Sequence, residues 1–152
     1  MFNRIVFVSV ILAIFAWNVT VQAELLPIQL DGDFGDWENV TALASDPAND
    51  GGSSGIDFRQ VWVGNDENYL YIKFDTTGEV QPDEGQYLRL YLDTDLNSST
   101  GTYYNGIGAE LVWNFGGRDG TFKVGSSTYE LNHSDIGLLV GPTVSNTHFE
   151  VA

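Results

Sequence analysis

Three stretches of strict alternation constrain the fold of this 152-residue chain more than any other feature. In residues 69–75, Leu70, Ile72 and Phe74 alternate with Tyr69, Tyr71 and Lys73. In residues 86–93, Leu88, Leu90 and Leu92 alternate with Tyr87, Arg89 and Tyr91. In residues 109–115, Ala109, Leu111, Trp113 and Phe115 alternate with Glu110, Val112 and Asn114. A period of two sends successive side chains to opposite faces of a sheet, so each stretch reads as a strand. Weaker signals of the same kind lie at 26–30, 58–63, 121–124, 128–131 and 147–152. Pro27 has no N–H to give a ladder, which confines the first of these to a sheet edge.

Polar, glycine-rich segments punctuate the strands: DGDFGD, DPANDGGSSG, GNDEN, GEVQPDEG, DTDLNSSTG, GGRDG and GSS. One helix is a candidate, over residues 36–44 with Asp36 as its N-cap, but it is too short to be stable alone. The pattern predicts an all-β protein, an antiparallel jelly-roll-like β-sandwich.

Residues 1–23 read as a signal peptide. Arg4 supplies a positive start, residues 5–17 are apolar except for Ser9, and Val21-Gln22-Ala23 is a cleavage pattern. The run falls short of the roughly 20 residues that span a bilayer, so no stable membrane insertion is expected after cleavage, an uncleaved anchor being the alternative. The remainder, 24–152, then forms a single secreted domain, extracellular or periplasmic. Its last residues, 148–152, alternate like a strand in progress. That domain is therefore expected to be incomplete at its C-terminus, with further domains beyond residue 152.

Charge and cysteine usage remove whole classes of function. Acidic side chains number 21 against 6 basic ones, a net charge of −15. Such a chain repels phosphate backbones, so nucleic acid is not an expected partner. Without cysteine there is no disulfide, thiolate metal site or thiol nucleophile. The aromatic content rules against a disordered acidic tail. No G-x-S-x-G, H-E-x-x-H or phosphate-loop motif occurs, and the chain is read as non-catalytic. Haem held by methionine and histidine is also not expected: the one methionine is Met1, and nothing pairs His133 with His148.

A secreted domain without disulfides has to be cross-linked otherwise, and bound calcium suits so acidic a chain. Calcium takes six to eight hard oxygens, which Asp93, Asp95 and Asn97, with Ser99, can offer when the loop after a strand curls. Glu110 is a remote candidate for the same site. The loop is not an EF-hand, since Ser98 stands at its sixth position and Tyr104 at its twelfth. A polar hairpin capped by its own Asp and Asn side chains is the competing reading. A second candidate group holds Asp46, Asp50 and Asp57, with Asn49. A third is Asp31, Asp33 and Asp36, which turn capping by Asp and Gly explains almost as well.

Residues 30–37, LDGDFGDW, are followed by DPANDGGSSGIDFRQVWVGNDENYLYIKFD and then by LRLYLDTDLNSSTGTYYNGIGAEL. This succession resembles family 9 carbohydrate-binding modules, within the wider DOMON-like group of β-sandwich domains. The DTDxNxxTG…GAE portion is similar to secreted bacterial domains of that type. The resemblance runs from about Ile28 to Phe149. It implies a calcium-stabilised sandwich that binds polysaccharide or oligosaccharide and is appended to a larger extracellular protein. In sugar-binding members two tryptophans clamp the ligand; Trp37, Trp62 and Trp113 are available here, and no pair among them is singled out.

Sugar recognition needs a flat apolar ring face and planar polar groups beside it. Trp62, Tyr103 and Tyr104 are the expected platform residues, with Arg89, Asn105 and Arg118 as hydroxyl partners. Trp113 shares a face with Leu111 and Phe115 and is expected in the core, whereas Trp37 is expected to plug one end of the sandwich. The competing functional reading is a calcium-stabilised structural or adhesion spacer with no sugar ligand.

Overall fold

Strands dominate the chain. In order they are β1 (Ala44–Ser45), β2 (Phe58–Asn65), β3 (Leu70–Val80), β4 (Arg89–Leu92), β5 (Thr102–Tyr104), β6 (Ile107–Ala109), β7 (Leu111–Asn114), β8 (Asp119–Val124), β9 (Ser127–Asn132), β10 (Val140–Gly141) and β11 (Asn146–Val151). A single helical turn, α1 (His133–Ile136), follows β9, and a 3-10 turn spans Gly35–Trp37. The computed structural model describes residues 28–50, 56–82 and 88–152. The expected signal peptide, residues 1–23, lies outside the described residues, as does Pro27. Every pairing among the described strands is antiparallel. The protein is thus all-β, consistent with the sandwich-like class that the alternation predicts. No helix among the described residues is long and apolar enough to cross a membrane.

The described residues fall into two compact units. The first holds 28–50, 56–81 and 138–152 and contains a five-stranded sheet in the order β1-β2-β3-β11-β10. Phe74, at the centre of β3, faces Val61 of β2 and Phe149 of β11. Its ring stacks on Phe149 at 5.3 Å and meets Phe58 edge-on at 5.7 Å. With Ile72 and Val151 these residues make one apolar, buried face, as the alternation requires.

The opposite face of that sheet departs from a simple polar-out pattern. Tyr71 and Lys73 are buried too, because residues 28–40 lie across them. Ile28, Trp37 and Tyr71 form a small cluster against which Phe34, Val40 and Trp62 pack. The segment is latched by Glu150, whose side chain is 0% exposed. Trp37 Nε1–H donates to Glu150 Oε2 at 3.1 Å, and the Gly32 N–H donates to Oε1 at 2.7 Å. A carboxylate buried this deeply is tolerable because both oxygens accept hydrogen bonds. The expected helix over 36–44 reduces to the 3-10 turn, since this stretch is held by contacts to the sheet and not by its own ladder.

The second unit, residue 82 and 88–137, holds a four-stranded sheet in the order β4-β7-β8-β9 and the hairpin β5-β6. Leu90 pairs with Trp113, and with Leu88 and Phe115 they form its buried face. Trp113 is 1% exposed, in the core as expected. Gly120 lies directly across from it on β8, where a Cβ would come within 2.8 Å of the indole. The other face is covered by the hairpin: Tyr91, Ile107 and Ala109 are buried together with Tyr104 and Val112 packed against them. The expected strand over 109–115 is in fact two, β6 and β7, parted at Glu110. α1 is short but well capped, Asn132 and Asp135 forming a reciprocal capping box, with Gly137 in the left-handed conformation behind it.

Candidate functional site

Within the first unit, the strap of residues 28–40 and the outer face of β2, β3 and β11 enclose a cleft of about 430 Å³. Sheet register explains what lines it. Trp62, Lys73 and Glu150 sit side by side across three strands, as do Gln60, Asp75 and His148. Phe34 and Glu38 enter from the strap.

Lys73 organises the floor. Its ammonium lies 3.4 Å from the centroid of Trp62 and 5.6 Å from that of Phe34. It also pairs with Asp75 Oδ1 at 2.8 Å. Desolvating an ammonium is costly, and two ring faces with one carboxylate offset that cost. Asp75 Oδ2 lies 3.7 Å from His148 Nε2, and the His148 ring sits 5.6 Å from Phe34. Trp62 is half-buried, with Lys73 covering one ring face. The cleft therefore offers aromatic surface beside planar polar groups, Gln60, Glu38, Asp75 and His148.

The other expected sugar-contacting residues belong to the second unit. Tyr103 and Asn105 are exposed on the β5–β6 hairpin, Tyr103 at 69%. Tyr104 is committed to packing instead: its ring stacks on Tyr91 at 4.3 Å and 13°. Arg89 is half-buried on β4, paired with Asn114. Asn105 and Arg118 both have positive φ, 45° and 52°, and shape their own turns. Trp37 covers the sheet face as described and Trp113 is in the core, so of these three tryptophans only Trp62 keeps partial access.

Two of the three candidate acidic groups assemble. Asp46, Asp50 and Asp57 bring one carboxylate oxygen each within 4.8 Å of the others, and so do Asp93, Asp95 and Glu110. Burial, then the charges of Asp50 and Asp57, raise the Asp46 carboxyl above the ordinary range. Asp57 is well supplied with donors: the N–H groups of Asn49 (2.6 Å) and Asp50 (3.3 Å) and the Thr77 hydroxyl (2.6 Å). Asn97 serves its own turn, accepting from the Ser99 N–H at 3.1 Å. Glu110, the remote candidate, is the third carboxylate of the 93–95 group.

What sequence reading missed is the part played by Lys73, Phe34 and Glu150. A signal was present: Lys73 and Glu150 are single charges inside otherwise apolar or aromatic strand stretches. No family model, curated protein or solved structure matches this chain.

Proposed function

We propose that this chain is a secreted, non-catalytic carbohydrate-binding module, similar to those of family 9, that attaches a larger extracellular protein to polysaccharide. The observation that carries the reading is the cleft around Trp62. A half-buried indole held flat by Lys73 gives a pyranose a C–H stacking surface, while Gln60, Glu38, Asp75 and His148 stand ready for hydroxyls. Exposed Tyr103 and Asn105 and, on other elements of the second unit, Arg89 and Arg118 are further candidate contact residues. Calcium has a structural part in this reading, drawn by the acidic loops.

The test is a glycan array on the folded chain, run in calcium and again in chelator. Binding to one glycan class, lost in Trp62→Ala while the circular-dichroism melt remains cooperative, supports the module. Silence from a folded protein overturns it. A specific observation keeps a second reading, the calcium-stabilised spacer: Trp37 and Trp113 are buried, and the stacked ring pair Tyr91–Tyr104 is internal.

A further inference from the structure

We propose that one calcium ion binds at Asp93, Asp95 and Glu110, and that the Asp46–Asp50–Asp57 group is not its site. The inference rests on the calcium part of the reading above and is independent of any sugar.

The ladder between β4 and β7 ends with Leu92 opposite Leu111, where the Glu110 N–H also donates to the Leu92 carbonyl, at 3.0 Å and one residue out of that register. Asp93, the next residue after β4, and Glu110 bring carboxylate oxygens within 4.8 Å of each other at this point. Like charges held this close repel each other, the more so away from water. Here both are nearly removed from water, each 9% exposed, and Asp95 brings a third carboxylate into the same space.

The hydrogen bonds around these groups are unevenly satisfied. Asp93 Oδ1 accepts from the N–H groups of Leu96 (2.7 Å) and Asp95 (3.3 Å), and Oδ2 from that of Gly108 (3.2 Å). Asp95 accepts from the Asn97 N–H and the Thr100 hydroxyl. Glu110 Oε2 accepts from both the N–H and the hydroxyl of Thr94, at 2.9 and 3.1 Å. Glu110 Oε1 is buried and has no hydrogen-bond partner among the described residues. A buried carboxylate oxygen without a donor, beside two further carboxylates, calls for a positive charge.

A hard cation supplies that charge, and calcium suits a site of several carboxylates whose shell is completed by loop carbonyls and water. Asp57, like Asp93, accepts from three protein donors, but neither it nor its neighbours Asp46 and Asp50 present such an orphaned oxygen among the described residues. The ion would tie the 93–101 loop to the junction of β6 and β7. That loop is already drawn tight there: a Cβ on Gly108 would collide with the Thr100 and Asn97 carbonyl oxygens.

The experiment is calorimetric titration of calcium into the chelator-treated chain, with thermal melts alongside. The expected result is one equivalent bound and a melting temperature that rises with calcium. Glu110→Gln keeps an acceptor for Thr94 and removes the charge, and Asp95→Asn alters an exposed member. Each should weaken calcium about tenfold or more, while Asp46→Asn and Asp50→Asn leave it unchanged. In chelator, Glu110→Gln should melt no lower than the parent, because a repulsion has been relieved. If Glu110→Gln does not fold, Asp95→Asn decides alone. Unchanged affinity in Asp95→Asn, loss confined to Asp46→Asn or Asp50→Asn, or no calcium bound by the folded chain each overturns the assignment. None of these results depends on a glycan, so this proposal and the sugar reading fail separately.

Discussion

Replacing Trp37 by phenylalanine removes the indole N–H that Glu150 Oε2 accepts, in a place where the carboxylate has no access to water. Two costs follow. A hydrogen bond to a charged acceptor contributes about 1.5–3 kcal/mol, and an unsatisfied buried acceptor incurs the full loss. The smaller ring also leaves space in the cluster of Ile28 and Tyr71, for about 1–2 kcal/mol more. The sum, about 2.5–5 kcal/mol, is a large share of the stability of a typical domain. A double-mutant cycle separates the two costs. In a Glu150→Leu background the indole has no carboxylate to serve, so Trp37→Phe should cost only the packing part. Urea unfolding of the four proteins gives the coupling directly, expected at about 1.5–3 kcal/mol. If the two substitutions add to within about 0.5 kcal/mol, the latch is refuted and Trp37 acts by packing alone.

Three further outcomes follow from the geometry. Tyr104→Ala should cost about 2–4 kcal/mol in urea unfolding, since it removes the ring stacked on Tyr91, whereas exposed Tyr103→Ala should change stability by less than about 0.5 kcal/mol. Equal effects would mean that the hairpin does not pack as described. Gly120→Ala should destabilise by about 1–3 kcal/mol, because the added methyl meets the Trp113 indole and the Val112 carbonyl; a neutral thermal melt would contradict this. Asp66 accepts from the Asn68 and Tyr69 N–H groups and the Tyr71 hydroxyl, bonds that hold its carboxyl below the ordinary range. A depressed carboxylate stabilises the fold above its unfolded pKa, and the benefit is lost as pH falls through the lowered value. The advantage of the parent over Asp66→Asn should therefore be present at neutral pH and vanish in acid, as followed by melts across the pH range.

The sequence by itself determined the local elements. A two-residue period survives any tertiary arrangement, so β2, β3, β4, β7 and β11 were legible from alternation, and glycine-rich turns marked where they end. It also brought out both acidic groups, because Asp93 and Asp95, and Asp46, Asp50 and Asp57, are close along the chain. Period two, however, says only that two faces differ, and not what lies over the second one. Tyr71, Lys73 and Tyr91 are buried because the 28–40 strap and the β5–β6 hairpin fold across them, contacts made by residues distant in sequence or by strands too short to announce themselves. The same holds for Glu150, which is 118 positions from the Gly32 N–H it receives, and for Trp62, whose neighbour Lys73 is set by register. The approach of Asp93 to Glu110 likewise joins residues distant in sequence. Alternation and turn chemistry are local and are written in the chain; burial of a charge and the convergence of carboxylates depend on register and on which segment covers which face, and only the tertiary structure decides those.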